Sequence, residues 1–355
     1  MRQTPLFEQH QACGGKVIDF HGWALPIQYT GIIEEHVHTR NKVSLFDCSH
    51  MGEFLIRGER SIAAFDRLVF SDIIGLRPGR CRYSAILNPQ AGIVDDIIVL
   101  RLTESDLYVV TNATPLEGVA RTIRAFVPRA QNLSDDTAKI DVQGPLSRDV
   151  LVRAGFAAVE PLRYYTCCRT EWRGEPILIA RAGYTGELGY EMYIPNHLAG
   201  PLWETLLEFD EVQPAGLGAR DTLRLEMGYT LYGQDVDESK TTLEAGMGRF
   251  IFWERGFIGR DALCVHREKH DYCVRTGIRS FTRQTPRQGQ DVFHEHQVVG
   301  VVTSGSFGPS VGYGIGMAYV PAELTTPGTP LTVGPKRLAV ETAAFPFYKH
   351  GTFRD

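Results

Sequence analysis

Tyr83-Ser-Ala-Ile-Leu-Asn-Pro-Gln-Ala-Gly-Ile-Val-Asp-Asp-Ile-Ile-Val-Leu100 holds two apolar runs joined by a turn. Residues 83–87 and 93–100 have strand length, and the second is dense in isoleucine and valine. Asn88-Pro-Gln-Ala-Gly92 carries the residue types that reverse a chain. Two neighbouring strands follow. The acidic pair Asp95-Asp96 interrupts the second run. Successive strand side chains point to opposite faces, so only one of these carboxylates can face a pocket. The other should face solvent or a local donor. A carboxylate among Ile93, Val94, Ile97, Ile98 and Val99 is costly without a partner or a task. Either the pair caps the turn or one acid does chemistry.

Working outward, residues 54–56 read as a strand and 61–69 as a helix with Ile62, Phe65, Leu68 and Val69 on one face. Residues 107–111 make a further strand and 115–126 a further helix. The same order recurs further on, with strands at 139–142, 175–181 and 190–194 and helices at 145–154 and 199–208. No short repeat is visible. Upstream, a helix runs from Pro5 to about Gln11, followed by the segment 16–23. A second helix spans 31–41, with Ile32, Ile33 and Val37 at helical spacing. Past residue 275 short apolar runs (299–303, 316–319, 331–333, 338–341) alternate with Gly, Pro and Ser, the pattern of a β-sandwich or small barrel. The charged stretch 266–271 reads as the junction into it. The expected class is α+β, two α+β units followed by a C-terminal β domain.

A chain of 355 residues is too long for one hydrophobic core and predicts two or three domains. Its 43% hydrophobic and 22% charged residues are those of a globular protein. A net charge of −5 argues against nucleic acid, whose binders carry a basic excess. Seven cysteines, an odd number without C-x-x-C, fit free thiols in a reducing compartment. No stretch approaches the ~18 apolar residues of a membrane helix, and the opening residues lack a secretory pattern. The expectation is a cytoplasmic enzyme with no membrane partner.

Arg181-Ala-Gly-Tyr-Thr-Gly-Glu-Leu-Gly-Tyr-Glu191 places three glycines in seven residues, a tight loop that lets backbone approach a ligand. Tyr184 offers a stacking face and Glu191 a bidentate acceptor. Glu187 and Glu191 oppose a phosphate cradle, and an ordinary hairpin is the alternative. Gly216-Leu-Gly-Ala-Arg-Asp221 marks a loop turning into a helix, with Asp221 in its first turn and Arg220 at the junction. Arg224 reads as a structural partner of Glu226 or another acid. Gly308–Gly316 lacks the strand and helix of a dinucleotide fingerprint and reads as a turn. His36-Val-His38 falls on a helix where i,i+2 residues do not share a face, so no metal is expected. G-x-S-x-G is missing, which leaves a hydrolase triad without foothold.

In order along the chain, these segments resemble the glycine cleavage T-protein (aminomethyltransferase) family. The resemblance rests on Thr4-Pro-Leu, Asp19-Phe-His-Gly-Trp23, Leu45-Phe-Asp47, Ser49-His-Met-Gly52, the Asp95-Asp96 strand and Gln143-Gly-Pro145. It continues through Gly183-Tyr-Thr-Gly-Glu187, the run 216–226, Tyr232-Gly-Gln-Asp235 and Thr303-Ser-Gly305. It implies a three-domain cloverleaf around a central folate channel. Residues 1–50 with 138–225 would form one α+β domain, 51–137 with 226–272 a second, and 273–355 the β domain. The implied reaction moves the aminomethyl carbon from the lipoylated H-protein to tetrahydrofolate, giving 5,10-methylenetetrahydrofolate and ammonia. By the same resemblance Asp96 is the essential acid and Glu191 the acceptor for the pterin N–H groups. Arg220 lies beside the folate, Tyr83, Tyr184 and Tyr229 surround the ring, Asn112 makes a polar contact and Met51 an apolar wall. Lys349 stands where an arginine often contacts the folate's glutamate tail.

The chain departs from the family's pattern at Ala91-Gly92, Thr241-Thr242, Arg249 and Tyr348-Lys349. Those departures leave room for a different one-carbon donor, as in a folate-dependent demethylase of the same fold. A folate-binding relative of iron–sulfur assembly would carry a cysteine near Tyr229-Thr-Leu-Tyr-Gly-Gln-Asp235, and none is present.

Overall fold

The computed structural model describes residues 1–113 and 116–355. The chain divides into two compact units, Met1–Ser84 with Asp96–Asp221 and Gly351–Asp355, and Ala85–Asp95 with Thr222–His350.

In the first unit a six-stranded sheet runs in the order Thr166–Trp172, Glu175–Arg181, Gly189–Pro195, Thr137–Gln143, Val43–Asp47 and Val212–Pro214. Only the last pair is parallel. Period-2 alternation decides its faces. Val43, Leu45, Ile140, Val142, Ile179, Met192 and Ile194 turn to one side, where the helices Ser147–Arg153 and Asn196–Leu207 cover them with Val150, Leu151, Leu202 and Trp203. The other side meets the five-stranded sheet, ordered Cys81–Leu87, Ile93–Arg101, Asp106–Thr111, Gly52–Arg57 and Gln131–Asn132. Leu100, Tyr108 and Val110 from that sheet pack with Leu178, Ala180 and Tyr193 from the first. Burial at about 25 cal/mol per Å² of apolar surface holds such layers together.

The second unit carries a closed six-stranded barrel, Cys273–Ser280, Gly314–Pro321, Gln297–Phe307, Asp291–His294, Pro330–Val333 and Leu338–Ala343. Ile278, Val292, Val302, Val320, Leu331, Val333 and Val340 fill it. The expected class, α+β with a C-terminal β domain, is the one found. Gly308–Gly316 forms the hairpin loop and the start of the next strand, with Phe307 paired to Gly314.

Some expectations change. The helix Ile32–Asn41 forms, but its apolar residues are not its core face. Ile33 and Val37 are 46% and 45% exposed, whereas Glu35, His36, Thr39 and Arg40 are buried. Glu35 accepts from the N–H groups of Tyr29, Thr30 and Gly31 at 2.6, 3.0 and 3.2 Å, and from Gly216 at 2.8 Å. Arg40 donates to Thr185 O at 2.6 Å and to Glu187 at 2.8 Å. Polar satisfaction overrides the hydrophobic stripe here. The helix Leu217–Met227 begins four residues before Asp221, which therefore stands outside its first turn. The stretch 266–271 is mostly the end of the helix Arg260–Lys269 rather than a linker. The helix expected from Pro115 runs Leu116–Phe126, and Pro115 itself lies outside the described residues.

Candidate active site

Asp96 lies on the strand Ile93–Arg101 with the same parity as Ile98 and Leu100, which pack in the layer between the two sheets. Its carboxylate is half-buried and held from two sides. The Tyr83 hydroxyl donates to Oδ2 at 2.9 Å, and the Asn112 amide donates to Oδ1 at 2.9 Å and to the backbone carbonyl of Asp96 at 3.0 Å. Two fixed donors orient the acid. Asp95, with opposite parity, is wholly buried, so neither acid is simply a solvated turn cap.

A second cluster builds on the strands Thr137–Gln143 and Gly189–Pro195, where Asp141 pairs with Glu191 and Lys139 with Tyr193. All four side chains are buried. Lys139 Nζ donates to Asp141 Oδ1 at 2.5 Å and to Glu191 Oε1 at 3.1 Å. The Tyr193 hydroxyl donates to Glu191 Oε2 at 2.7 Å. Arg220 donates to Asp141 Oδ2 at 2.9 Å, and its guanidinium lies 4.9 Å from the centre of the Tyr184 ring. Burial opposes the charge on Lys139, but Asp141 and Glu191 outweigh it and hold the ammonium above the usual lysine range. Burial likewise opposes the Asp141 charge, and Lys139 and Arg220 reverse it, keeping that carboxyl below its ordinary value.

Glu53 enters from the facing sheet. It pairs with Val110 across the ladder, sharing the inward face with Leu55 and Tyr108. Its side chain is wholly buried and neither oxygen has a hydrogen-bond partner. Burial, reinforced by Glu191 and opposed by Lys139, pushes its carboxyl well above the ordinary range. His50 is also buried, with Nδ1 unpartnered, and burial pulls it down to about 4. Cys48 donates its thiol to Asp141 Oδ2 at 3.4 Å and is pushed up to about 12 by burial, so it is no nucleophile. Met51 packs against the inter-sheet layer beside Tyr108 and Tyr193.

Of the residues expected from sequence, Asp96, Tyr83 and Asn112 come together, as do Glu191, Arg220 and Tyr184. Tyr229 and Lys349 belong to the second unit. There Tyr229 is half-buried with its carbonyl accepting from Arg224 at 3.1 Å, and Lys349 is exposed. Lys139, Asp141, Tyr193 and Glu53 join the site with no signal in the sequence that sets them apart from ordinary strand residues. Glycines 183 and 189 serve a different neighbour from the ligand expected of them. A Cβ on either would meet Gln143 Oε1 at 2.0 or 2.3 Å, so the pair makes room for that side chain. Gln143 in turn accepts from Thr185 Oγ1 at 2.9 Å and donates to Ala182 O at 3.2 Å. Gly216 admits the backbone, since a Cβ there would meet the Ile27 carbonyl at 2.5 Å. In the second unit Asp235 gathers Arg224 Nη1, Thr303 Oγ1 and Ser304 Oγ at 2.6, 2.5 and 2.7 Å, which explains both the Tyr232–Asp235 and the Thr303–Gly305 runs structurally. Among the described residues no group of three or more metal-ligating side chains could hold an ion. No described helix is long and apolar enough to cross a membrane.

A held acid on an apolar strand and a buried ionic cluster with a stacked arginine mark an enzyme-like site rather than a plain core. Comparison with known proteins gives that class a family. The model described as the GCVT N-terminal domain matches residues 6–276, and that of the glycine cleavage T-protein C-terminal barrel domain matches 276–349. The chain is 38% identical over 356 residues to an aminomethyltransferase of Halothermothrix orenii, covering 98% of this chain and 100% of the relative. It is 36% identical over 363 residues to an aminomethyltransferase of Thermotoga neapolitana, covering 100% of both. The crystal structure of glycine cleavage system aminomethyltransferase T from Bartonella henselae superposes with a TM-score of 0.93 at 33% identity, over 99% of each chain. The chain belongs to the glycine cleavage T-protein family and is a one-carbon group transferase of the aminomethyltransferase type.

Proposed function

We propose that the chain transfers the aminomethyl carbon from the lipoyl arm of a glycine cleavage H-protein to tetrahydrofolate, giving 5,10-methylenetetrahydrofolate, ammonia and the dihydrolipoyl arm. Tetrahydrofolate is the acceptor, and supplies the nucleophilic nitrogens on which the carbon ends. The donor set of the buried cluster suits it. Glu191 uses one lone pair of Oε1 on Lys139 and one of Oε2 on Tyr193. Each oxygen keeps a lone pair, so the carboxylate can still accept two parallel N–H bonds, the pattern a pterin edge offers. Arg220 and the Tyr184 face supply a cation and a stacking surface beside it.

Asp96 carries the chemistry in this reading. As ammonia leaves, the transferred carbon becomes cationic, and a fixed carboxylate nearby stabilises that charge more than it stabilises the neutral ground state. Tyr83 and Asn112 hold the acid in place so that no reorientation is needed at that moment. The observation that carries the proposal is this doubly anchored carboxylate on an apolar strand. The experiment is ammonia release from aminomethyl-loaded H-protein with and without tetrahydrofolate. Folate-stimulated release supports the reading. No turnover with H-protein, together with methyl transfer from methylated amines or sulfonium compounds, would replace it with a demethylase.

A further inference from the structure

Three buried groups, Glu191, Lys139 and Asp141, and the partly buried Arg220 stand in one unbroken line, joined by contacts of 3.1, 2.5 and 2.9 Å. Such a line is expensive. Each ion gives up its hydration on burial, and apolar residues of similar volume would pack the same space at no loss of stability. Apolar Leu178, Ala180 and Val110 already stand in the layer around it. Stability therefore does not account for Lys139 and Asp141, and orientation does.

Geometry points the same way. Glu191 sits opposite Asp141 in the ladder, and two like charges directly opposite each other repel. Lys139 Nζ bridges them. Tyr193, opposite Lys139, closes the second oxygen of Glu191. Each oxygen of the carboxylate is thus held by its own donor, which fixes the direction of the remaining lone pairs. The same Asp141 fixes Arg220, so the two groups that would touch a ligand are set relative to each other.

We propose that Lys139 and Tyr193 are positioning residues for Glu191, with Asp141 linking Lys139 to Arg220, so that the folate-ring acceptor is fixed in orientation before the ligand arrives. The inference rests on Glu191 being that acceptor. Preorganisation of this kind lowers the ordering cost of binding and shows in affinity for the ligand that uses it.

The test uses the full-length enzyme and four variants, Lys139→Met, Lys139→Arg, Tyr193→Phe and Glu191→Gln. Tetrahydrofolate affinity is measured by titration, and KM for folate and for aminomethyl-H-protein by steady-state kinetics. Lys139→Met should weaken tetrahydrofolate about tenfold or more, as expected for losing a charge-assisted anchor. KM for the H-protein should stay within about twofold, and Lys139→Arg should recover most of the folate affinity. A role confined to stability would lower Tm and affect both substrates alike. Should Lys139→Met fail to fold, Tyr193→Phe deletes one hydroxyl and leaves the ring packed. It should weaken folate roughly threefold to tenfold. Wild-type folate affinity in the Lys139 and Tyr193 variants, alongside weakened binding in Glu191→Gln, overturns the positioning inference alone. Wild-type affinity in Glu191→Gln overturns the ring-acceptor reading and the inference with it.

Discussion

Asn112 follows directly on the strand Asp106–Thr111, two residues past Val110, and its amide grips both the carboxylate and the backbone carbonyl of Asp96 at 2.9 and 3.0 Å. A single amide thereby fixes the side chain and the strand it stands on. Asn112→Ala should lower kcat roughly tenfold, the scale of one lost hydrogen bond to a charged group. Tetrahydrofolate affinity should change less than kcat. Equal losses in affinity and kcat would make Asn112 a ligand contact first and an anchor second.

Glu53 gives a stability prediction with a defined sign. Its folded carboxyl is raised above the unfolded value of 4.5, so its contribution is fully present below that pH and is lost as pH climbs. The loss runs at about 1.4 kcal/mol per unit until the folded group ionises. Glu53→Gln should therefore gain stability relative to the parent as pH rises above 4.5, the gap widening with pH while the folded group stays protonated. Urea midpoints across that range measure it. A gap independent of pH would mean that Glu53 is not held neutral.

His50 acts on the acid side. Its folded value, about 4, lies below the unfolded 6.5, so the stability it permits is intact above 6.5 and fades as pH falls towards 4. Replacing it with Gln should flatten the acid limb of the stability curve between those values. Thermal melts of both proteins in that window check it, and parallel curves would contradict it.

Asp235 holds Arg224 at 2.6 Å with both side chains almost wholly buried. Asp235→Ala removes the carboxylate facing a buried guanidinium and should cost about 3–5 kcal/mol. A denaturant midpoint within 0.5 kcal/mol of the parent, taken as about the noise of a surface substitution, would show the pair to be dispensable.

What could be read from sequence follows physical range. The Asp96 strand was legible because β-branched residues and a Gly-containing turn are local signals, and the barrel because Gly and Pro punctuate it. The strands Thr166–Trp172 and Cys273–Ser280 give no sequence signal, since Arg169, Glu171, Arg275 and Arg279 break their apolar runs, and Asp291–His294 is only 4 residues long. The helix Ile32–Asn41 is legible in the sequence but its buried face is not, because Glu35 and Arg40 are buried by partners distant in sequence, Gly216 and Glu187. Lys139 and Asp141 were invisible as site residues for a related reason. Alternation with Ala138, Ile140 and Val142 marks a strand with one polar face, and nothing local says that a second sheet covers that face.

The central claim is that the Asp96 carboxylate performs the transfer, and Asp96→Asn tests it most directly because shape and burial are nearly kept. Methylenetetrahydrofolate formation from aminomethyl-H-protein should fall by roughly 10²–10³ or more, with Tm and tetrahydrofolate affinity close to the parent. Turnover near the parent's in a folded Asp96→Asn enzyme would contradict the account.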